Sequence, residues 1–188
     1  YRAAIQNALR DSKRLVRLVN DLLDLAKANY DPVEIQFKNI RIDEVLLDAC
    51  HTVQKGNTAY KIDIRFESDF DHDSQVMLKG NEYLLKIAIA NLMENGCKFS
   101  SDNACHVAIV LLEKRIILKF SDNGIGIPAS DLPDIFEPFF RGKNNAVAEG
   151  NGIGLALTQK IITLHKGSIE VETTENRGTT MLVNLPAL

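Results

Sequence analysis

Two pairs of short β-branched segments in the second half of the chain most constrain its fold. Residues 106–112 and 115–120 are separated by only two residues, and residues 168–173 and 179–185 are separated by a short polar stretch. Segments of this composition with such short connections predict two β-hairpins, and hence an antiparallel sheet. The apolar face of that sheet needs a second layer to cover it.

Segments with the helical spacing of apolar residues supply that layer. A strongly apolar segment over about 81–99 predicts one helix, and residues 153–165 predict another, with Gly167 as its C-cap. A third is predicted to begin at an N-cap formed by Asp43. Further strands are predicted at 33–37, 61–66 and 76–78, with a turn at 69–74 and a short helix at 132–136. Together these patterns predict an α+β fold, a two-layer α/β sandwich in which helices cover one face of a mixed, largely antiparallel sheet.

The first thirty residues predict one long amphipathic helix that precedes this sandwich. From Arg2 to about Asn29 there is no Pro or Gly, and apolar residues recur at intervals of three and four. Pro32 ends the helix, because the residue before a proline is pushed out of the helical conformation. Such a stripe suits packing against other helices, although packing on the chain's own domain is the alternative.

Charge and cysteine content argue against several classes of function. The formal charge of −3 gives no excess of Lys and Arg, which a nucleic-acid-binding face needs. No apolar run approaches the roughly 18–20 residues of a membrane span. Cys50, Cys97 and Cys105 have no CxxC spacing, so they are interpreted as reduced structural thiols rather than a disulfide or zinc framework.

The helix predicted over 81–99 ends in a polar stripe. Asn91, Glu94, Asn95 and Lys98 lie three and four residues apart, so they share one helix face opposite the apolar one. Burying such groups is costly unless something polar faces them. An Asn carbonyl is a suitable Mg²⁺ ligand and a Lys ammonium suits phosphate, so the stripe indicates a metal–phosphate site. A solvated helix face is the alternative.

A short loop with Asp122, Gly124 and Gly126 follows the strand predicted at 115–120. A carboxylate at a strand end can accept a hydrogen bond from an exocyclic amino group, and neighbouring glycines let a flat ring approach the backbone. An ordinary Asp-Asn-Gly turn is the alternative.

A second glycine-rich loop, with Gly150, Gly152 and Gly154, runs directly into the helix predicted at 153–165. Backbone N–H groups and the helix dipole at such a junction can bind an anion, although a flexible hinge would have the same composition. The spacing fits neither a dinucleotide-binding fingerprint nor a Walker loop.

In this order the three segments resemble the N, G1 and G2 boxes of the histidine kinase catalytic domain, a branch of the GHKL ATPases. Residues 135–141 resemble the F box of that family, residues 177–180 its final glycine-containing segment, and residues 14–26 the second helix of its dimerisation domain. The resemblance covers nearly the whole chain. It implies that residues 1–30 are a partial dimerisation domain without the phosphoacceptor helix, and that residues 31–188 are the ATP-binding catalytic domain.

The resemblance also implies roles for the matching residues. Asn95 would bind Mg²⁺ and Glu94 would lie at the position where a base role is argued for related kinases. Glu94, Lys98 and Arg141 would be the catalytic set. The nucleotide-binding set would be Asn91, Asn95, Lys98, Asp122, Gly124, Gly126, Ile127, Arg141, Gly150, Gly152, Gly154, Leu155 and Thr179. Phe136, Phe139 and Phe140 are expected to anchor the lid rather than to stack on the base.

The chain departs from the family at the phosphoacceptor. None of its four histidines, His51, His72, His106 and His165, lies in the family's acceptor motif, so they are interpreted as structural or solvated and the acceptor is expected in sequence outside this chain. Gly96 also stands where the family usually has Ala, at a cost of roughly 1 kcal/mol in helix propensity.

The function implied is transfer of the γ-phosphoryl of ATP, with Mg²⁺, to a histidine, followed by relay to a response-regulator receiver domain. The expected partners are a second copy of the protein, bound through the N-terminal helix, and that receiver domain, with no nucleic acid. The chain is expected in the cytoplasm, as part of a protein anchored in the inner membrane. The alternatives are a GHKL ATPase or serine kinase, and a non-catalytic dimerising scaffold.

Overall fold

The computed structural model describes residues 36–67, 73–142 and 150–188, together with the single position Val19. The predicted N-terminal helix and the boundary after residue 30 lie outside the described residues. So do most of the predicted turn at 69–74 and residues 143–149. Within the described ranges, no helix combines the length and apolar character needed to cross a membrane.

A five-stranded mixed sheet forms one layer of the described fold. Its strands are β2 (Lys61–Phe66), β4 (Ala104–Leu112), β5 (Arg115–Ser121), β6 (Ser168–Thr174) and β7 (Gly178–Pro186). Their order across the sheet is β2-β4-β5-β7-β6. The β4–β5 pair turns at two residues, with Leu112 opposite Arg115, and β6–β7 forms the second hairpin. Both predicted hairpins are confirmed, and the sheet is mixed because β2 pairs with β4 in parallel.

A separate two-stranded sheet joins β1 (Lys38–Arg41) to β3 (Met77–Gly80) in antiparallel register. The strand predicted at 33–37 is wrong where the structure describes it, because Gln36 and Phe37 precede β1, and residues 33–35 lie outside the described ranges. The strand predicted at 76–78 is confirmed at Met77 and Leu78, but its bounds are wrong: Val76 ends a 3₁₀ turn, and β3 continues to Gly80. Both errors have one cause: the ladder pairs segments far apart in sequence, so local alternation does not mark its ends.

Three helices form the second layer, α1 (Ile42–Gly56), α2 (Glu82–Phe99) and α3 (Gly154–Leu164). Helix α2 packs against both of the other helices and also against β4, so it is the central helix of the layer. The predicted two-layer sandwich is confirmed. The core between the layers includes the alternate strand residues Val107, Ile109, Leu111, Ile116, Leu118 and Phe120, with Leu85, Ile89 and Met93 of α2.

The N-termini of α1 and α2 differ in whether a side chain caps the helix. Helix α2 begins at a capping Asn81, whose Oδ1 accepts the Leu84 N–H at 3.0 Å. Helix α1 begins directly after β1, with Arg41 at the N-cap position and no side-chain capping bond. The prediction that Asp43 caps α1 is therefore wrong, because Asp43 lies inside the first turn and its carboxylate binds the Arg41 guanidinium at 2.9 Å.

Helix α3 ends in a turn whose left-handed residue is Lys166, with φ of 59°. The C-cap is His165, and the Gly167 N–H donates to Ile162 O at 2.9 Å. The prediction of Gly167 as the C-cap is wrong by two positions. A glycine is still required there, because a Cβ at Gly167 would collide with the Asn184 carbonyl oxygen.

Candidate functional site

The polar stripe of α2 faces the start of α3. The Asn91 side-chain amide donates to Gly154 O at 3.5 Å, and a Cβ at Gly154 would lie 3.6 Å from Asn91 Cγ. Asn91 and Asn95 are half-buried, whereas Glu94 is exposed. The stripe is therefore not a plain solvated helix face: its inner edge lies against the glycine-rich segment that opens α3.

One turn further along α2, Lys98 approaches the same glycine-rich segment. A Cβ at Gly150 would lie 2.9 Å from the Lys98 ammonium nitrogen, and that nitrogen also lies 5.0 Å from the centre of the Phe99 ring. The ammonium group is therefore held at the entrance to α3, where the backbone N–H groups of a helix N-terminus favour an anion.

The end of α2 also meets the loop that follows β5. Ser100 forms an isolated antiparallel bridge with Gly124, and a Cβ at Gly124 would collide with Phe99 O. Both glycine-rich loops thus contact the last turns of α2. The structure brings together the three segments that the sequence places up to 63 residues apart, from Asn91 to Gly154.

Asp122 lies at the exit of β5 with its carboxylate half-buried. Its Oδ1 accepts the Gly124 N–H at 2.8 Å, and its own N–H donates to Thr179 O at 2.9 Å. Burial raises the pKa of Asp122 above its usual value, and hydrogen bonds from Gly124 and Thr179 partly offset that rise. A buried carboxylate already fixed by backbone donors is a pre-oriented acceptor for a further N–H group.

The loop after Asp122 rests on the turn between β6 and β7. Gly126 adopts a φ of 66°, and a Cβ there would collide with Thr174 O. The Ile127 N–H donates to Thr173 Oγ1 at 3.0 Å. Thr173 is a residue that the sequence analysis missed, because a threonine in a polar strand has no local signal for a bond to a loop 46 residues away.

Residues 135–140 lie against the second glycine-rich loop through the backbone. The Phe139 N–H donates to Gly152 O at 2.8 Å, and a Cβ at Gly152, which has a φ of 71°, would lie 2.6 Å from Phe140 O. Phe136 and Phe140 are half-buried, but the Phe139 ring is 60% exposed. The expectation of a hydrophobic anchor is therefore not met at Phe139, whose contact is made by its main chain.

The remaining predicted site residues differ in how far they are buried. Ile127 and Leu155 are half-buried and pack against the hydrophobic core, and Thr179 is buried. Arg141 is exposed, two residues before the undescribed segment 143–149.

His165 is a structural residue. Its ring is buried, Nδ1 lies 2.7 Å from Ile161 O, and Nε2 accepts the Asn81 N–H at 2.9 Å. These partners require the neutral tautomer with a proton on Nδ1. Burial lowers the pKa of His165, so the ring stays neutral near pH 7 and ties the end of α3 to the start of α2.

The cysteines behave as packing residues. Cys97 and Cys105 are buried and Cys50 is half-buried, and all three are unbridged thiols. Burial raises the pKa of Cys97 to about 11 and also raises that of Cys105, so neither is a nucleophilic thiolate at neutral pH. Within the described ranges, no three His, Cys, Asp or Glu side chains are grouped closely enough to hold a metal ion.

Comparison with known families gives a match over the region that contains the site. Residues 80–188 match the family described as histidine kinase-, DNA gyrase B- and HSP90-like ATPases. This range begins just before α2 and includes both glycine-rich loops and the β6–β7 hairpin.

Curated relatives align over nearly the whole chain. The non-motile and phage-resistance protein of Caulobacter vibrioides is 28% identical over 194 residues, which cover 99% of this chain and 22% of that protein. The signal transduction histidine-protein kinase ArlS of Staphylococcus aureus is 28% identical over 179 residues, which cover 94% of this chain and 39% of ArlS. The chain thus spans less than half the length of these relatives.

Among solved structures, full-length ShkA in complex with AMPPNP superposes with a TM-score of 0.78 at 20% identity, covering 98% of this chain and 39% of ShkA. At that level of identity the superposition establishes a shared fold.

Proposed function

The chain belongs to the family of histidine kinase-, DNA gyrase B- and HSP90-like ATPases, and we propose that it is the ATP-binding catalytic part of a sensor histidine kinase. In this proposal it binds Mg·ATP and transfers the γ-phosphoryl to a histidine outside the chain, from which a response regulator receives it. One observation carries the proposal: the last turns of α2 contact both the Asp122 loop and the loop over 150–154.

The Asp122 side of α2 is proposed to hold the adenine. A half-buried carboxylate can accept a hydrogen bond from the exocyclic amino group, and Gly124 and Gly126 leave the backbone accessible to a flat ring. Ile127 would provide an apolar contact beside that ring, and Thr179 lies next to Asp122 through the β5–β7 ladder. The AMPPNP bound to ShkA supports an adenine nucleotide as the ligand.

The α3 side is proposed to hold the triphosphate. Lys98 lies beside Gly150, and the backbone N–H groups at the start of α3 are oriented to favour negative charge. Leu155 directly follows Gly154 in the sequence, and Arg141 lies nine residues before Gly150. Both are proposed to contribute to this side of the site. Positioning of the phosphates and neutralisation of their charge are the main catalytic contributions that such a site can make.

The residues between the two loops fit a Mg²⁺ ion bound together with phosphates. Asn95 offers a hard carbonyl oxygen on the same helix face as Asn91 and Lys98, and Mg²⁺ takes few protein ligands when phosphates complete its shell. When bound, the ion would neutralise phosphate charge. Glu94 is exposed at the same level of α2 and is a candidate base for the acceptor histidine.

The wider assembly follows from the relatives and is part of the same proposal. One of them, ArlS, is named a signal transduction histidine-protein kinase, which supports an acceptor helix, a dimer and a receiver-domain partner in the complete protein. A membrane-anchored parent with this part in the cytoplasm is proposed on the same basis.

Phosphorylation of the complete kinase that contains this chain tests the proposal. With γ-labelled ATP and Mg²⁺, the wild type should form acid-labile phosphohistidine, and Asn95→Ala should form none. Asn57→Ala is the matched control, because Asn57 lies at the far end of α1 and its side chain accepts a local hydrogen bond from the Ala59 N–H. Equal labelling of Asn95→Ala and the wild type would overturn the metal assignment. Multiple-turnover hydrolysis without phosphohistidine would favour an ATPase relative.

A further inference from the structure

We propose that Thr173 is a positioning residue for the base-binding loop and thereby sets the selectivity of the site for adenine. This inference rests on the proposed function, and it concerns a side chain outside the motif residues. Thr173 lies near the end of β6, on the strand that forms the edge of the sheet.

A single hydroxyl group links three parts of the site. Thr173 Oγ1 accepts the Ile127 N–H at 3.0 Å, donates to Gly178 O at 3.0 Å and lies 3.1 Å from Thr179 Oγ1. Ile127 belongs to the loop after Asp122, whereas Gly178 and Thr179 open β7. Because Thr179 O accepts the Asp122 N–H at 2.9 Å, the same network reaches the main chain of Asp122, the residue proposed to read the base.

The loop needs an anchor at this point because of its own sequence. Its first end is fixed where Asp122 leaves β5, but Gly124 and Gly126 follow within four residues and have few intrinsic restraints. The Asn176 N–H also donates to Ile125 O at 2.8 Å, so the β6–β7 turn holds the middle of the loop through the backbone. The Thr173 hydroxyl is the side-chain contact that fixes the far end.

The consequence for ligand choice follows from geometry. A carboxylate discriminates an amino group only when its oxygen and the ring plane are held in one relative position. If the Ile127 end of the loop shifts, the backbone that faces the ring moves relative to Asp122. Selectivity for the amino group should then fall more than total affinity, much of which comes from the phosphates.

The test compares Thr173→Val with Thr173→Ser by calorimetric titration of the 188-residue chain. The probes are ATP and inosine triphosphate, which lacks the exocyclic amino group, each with Mg²⁺. Thr173→Val should weaken ATP binding by roughly tenfold, because one to two hydrogen bonds are lost. It should weaken the binding of inosine triphosphate less. Thr173→Ser keeps the hydroxyl and should retain the wild-type ratio of the two affinities.

Thr180→Val is the matched control. Thr180 follows Thr179 on β7, and its hydroxyl bonds to Ser121 Oγ at 2.9 Å. This variant should lower the free energy of unfolding by a similar amount without changing the ratio of the affinities for ATP and inosine triphosphate. Amide exchange gives a direct second readout: the Ile127 N–H should lose protection in Thr173→Val and keep it in Thr180→Val. If Thr173→Val does not fold, Thr173→Ala serves for both measurements.

The outcomes separate the two proposals. An unchanged ratio and unchanged Ile127 protection in a folded Thr173 variant, with wild type that binds ATP, would overturn the positioning role alone. Wild type that binds neither nucleotide would overturn the proposed function, and this inference with it.

Discussion

The Cys105 side chain occupies the space that a side chain at position 96 would need. A Cβ at Gly96 would lie 2.6 Å from Cys105 Sγ and 3.0 Å from Cys105 Cβ. Gly96 lies in α2 between Asn95 and the buried Cys97, and Cys105 lies on β4 below it. The glycine that weakens α2 by its low helix propensity therefore also lets the helix approach the sheet.

Gly96→Ala is expected to destabilise the protein despite the better helix former. The propensity gain is about 1 kcal/mol, whereas overpacking a close-packed site costs about 1–3 kcal/mol. Urea unfolding should therefore show a net loss. Cys105→Ala opens the space, so the double variant should be more stable than the sum of the two single changes. Simple additivity would show that the two residues do not compete for this space.

Asp122→Asn is expected to weaken ATP binding by tenfold or more, because the amide presents one acceptor oxygen and no charge. The binding of inosine triphosphate should change little. Calorimetric titration of both nucleotides measures the change. Asp63→Asn, at an exposed ion pair with Arg65 on β2, is the control and should leave both affinities unchanged. An equal loss of both nucleotides in Asp122→Asn would contradict a base-reading role.

The fold could be predicted from sequence wherever one element carries its own signal. The two hairpins and the three helices follow from local periodicity, and each observed boundary lies within a few residues of the predicted one. The β1–β3 sheet could not be predicted, because its register depends on a partner about 40 residues away. Only the C-cap of α3 differs from the prediction, because Lys166, which has an unfavourable left-handed conformation, stands where a glycine is usual.

The candidate site was predictable as far as its motifs extend. Asn91, Lys98 and Asp122 follow from residue type, spacing and order, and the structure brings their segments together. Thr173 was not predictable, because its role comes from the tertiary contact between the β6–β7 turn and a loop. The exposure of the Phe139 ring could not be predicted either, because its sequence context is that of an apolar anchor.

The stability of the protein should fall as the pH decreases below about 7. Burial lowers the pKa of His165 below the 6.5 of an unfolded histidine, so the unfolded chain binds the proton more readily. The stabilisation is complete above pH 6.5 and is lost as the pH falls towards the folded-state pKa. Urea unfolding from about pH 7.5 to about pH 5, a range that brackets the ordinary histidine pKa of about 6.5, measures the slope.

His165→Gln should flatten that profile, at the cost of lower stability at pH 7.5 (a value about one unit above the free histidine pKa). His51→Gln is the matched control, because His51 is exposed on α1, and it should keep the wild-type slope. A slope that survives His165→Gln would assign the pH dependence to another group.

Thr158→Val is expected to stabilise the protein. Thr158 is fully buried in α3, and its hydroxyl oxygen has no hydrogen-bond partner among the described residues. Replacing an unsatisfied buried hydroxyl by a methyl of the same shape should raise the free energy of unfolding by about 1 kcal/mol. Thermal unfolding measures this, with Thr52→Val on the exposed face of α1 as control. A loss of stability in Thr158→Val would show that the hydroxyl is satisfied.

A nucleotide titration followed by backbone and side-chain amide signals tests the shared site most directly. In the isotope-labelled 188-residue chain with Mg²⁺ and AMPPNP, the signals of Asn95, Gly124 and Gly152 should shift together with a single dissociation constant. Gly56, at the far end of α1, should not shift. Shifts in only one of the three segments, or different dissociation constants for the segments, would contradict the account.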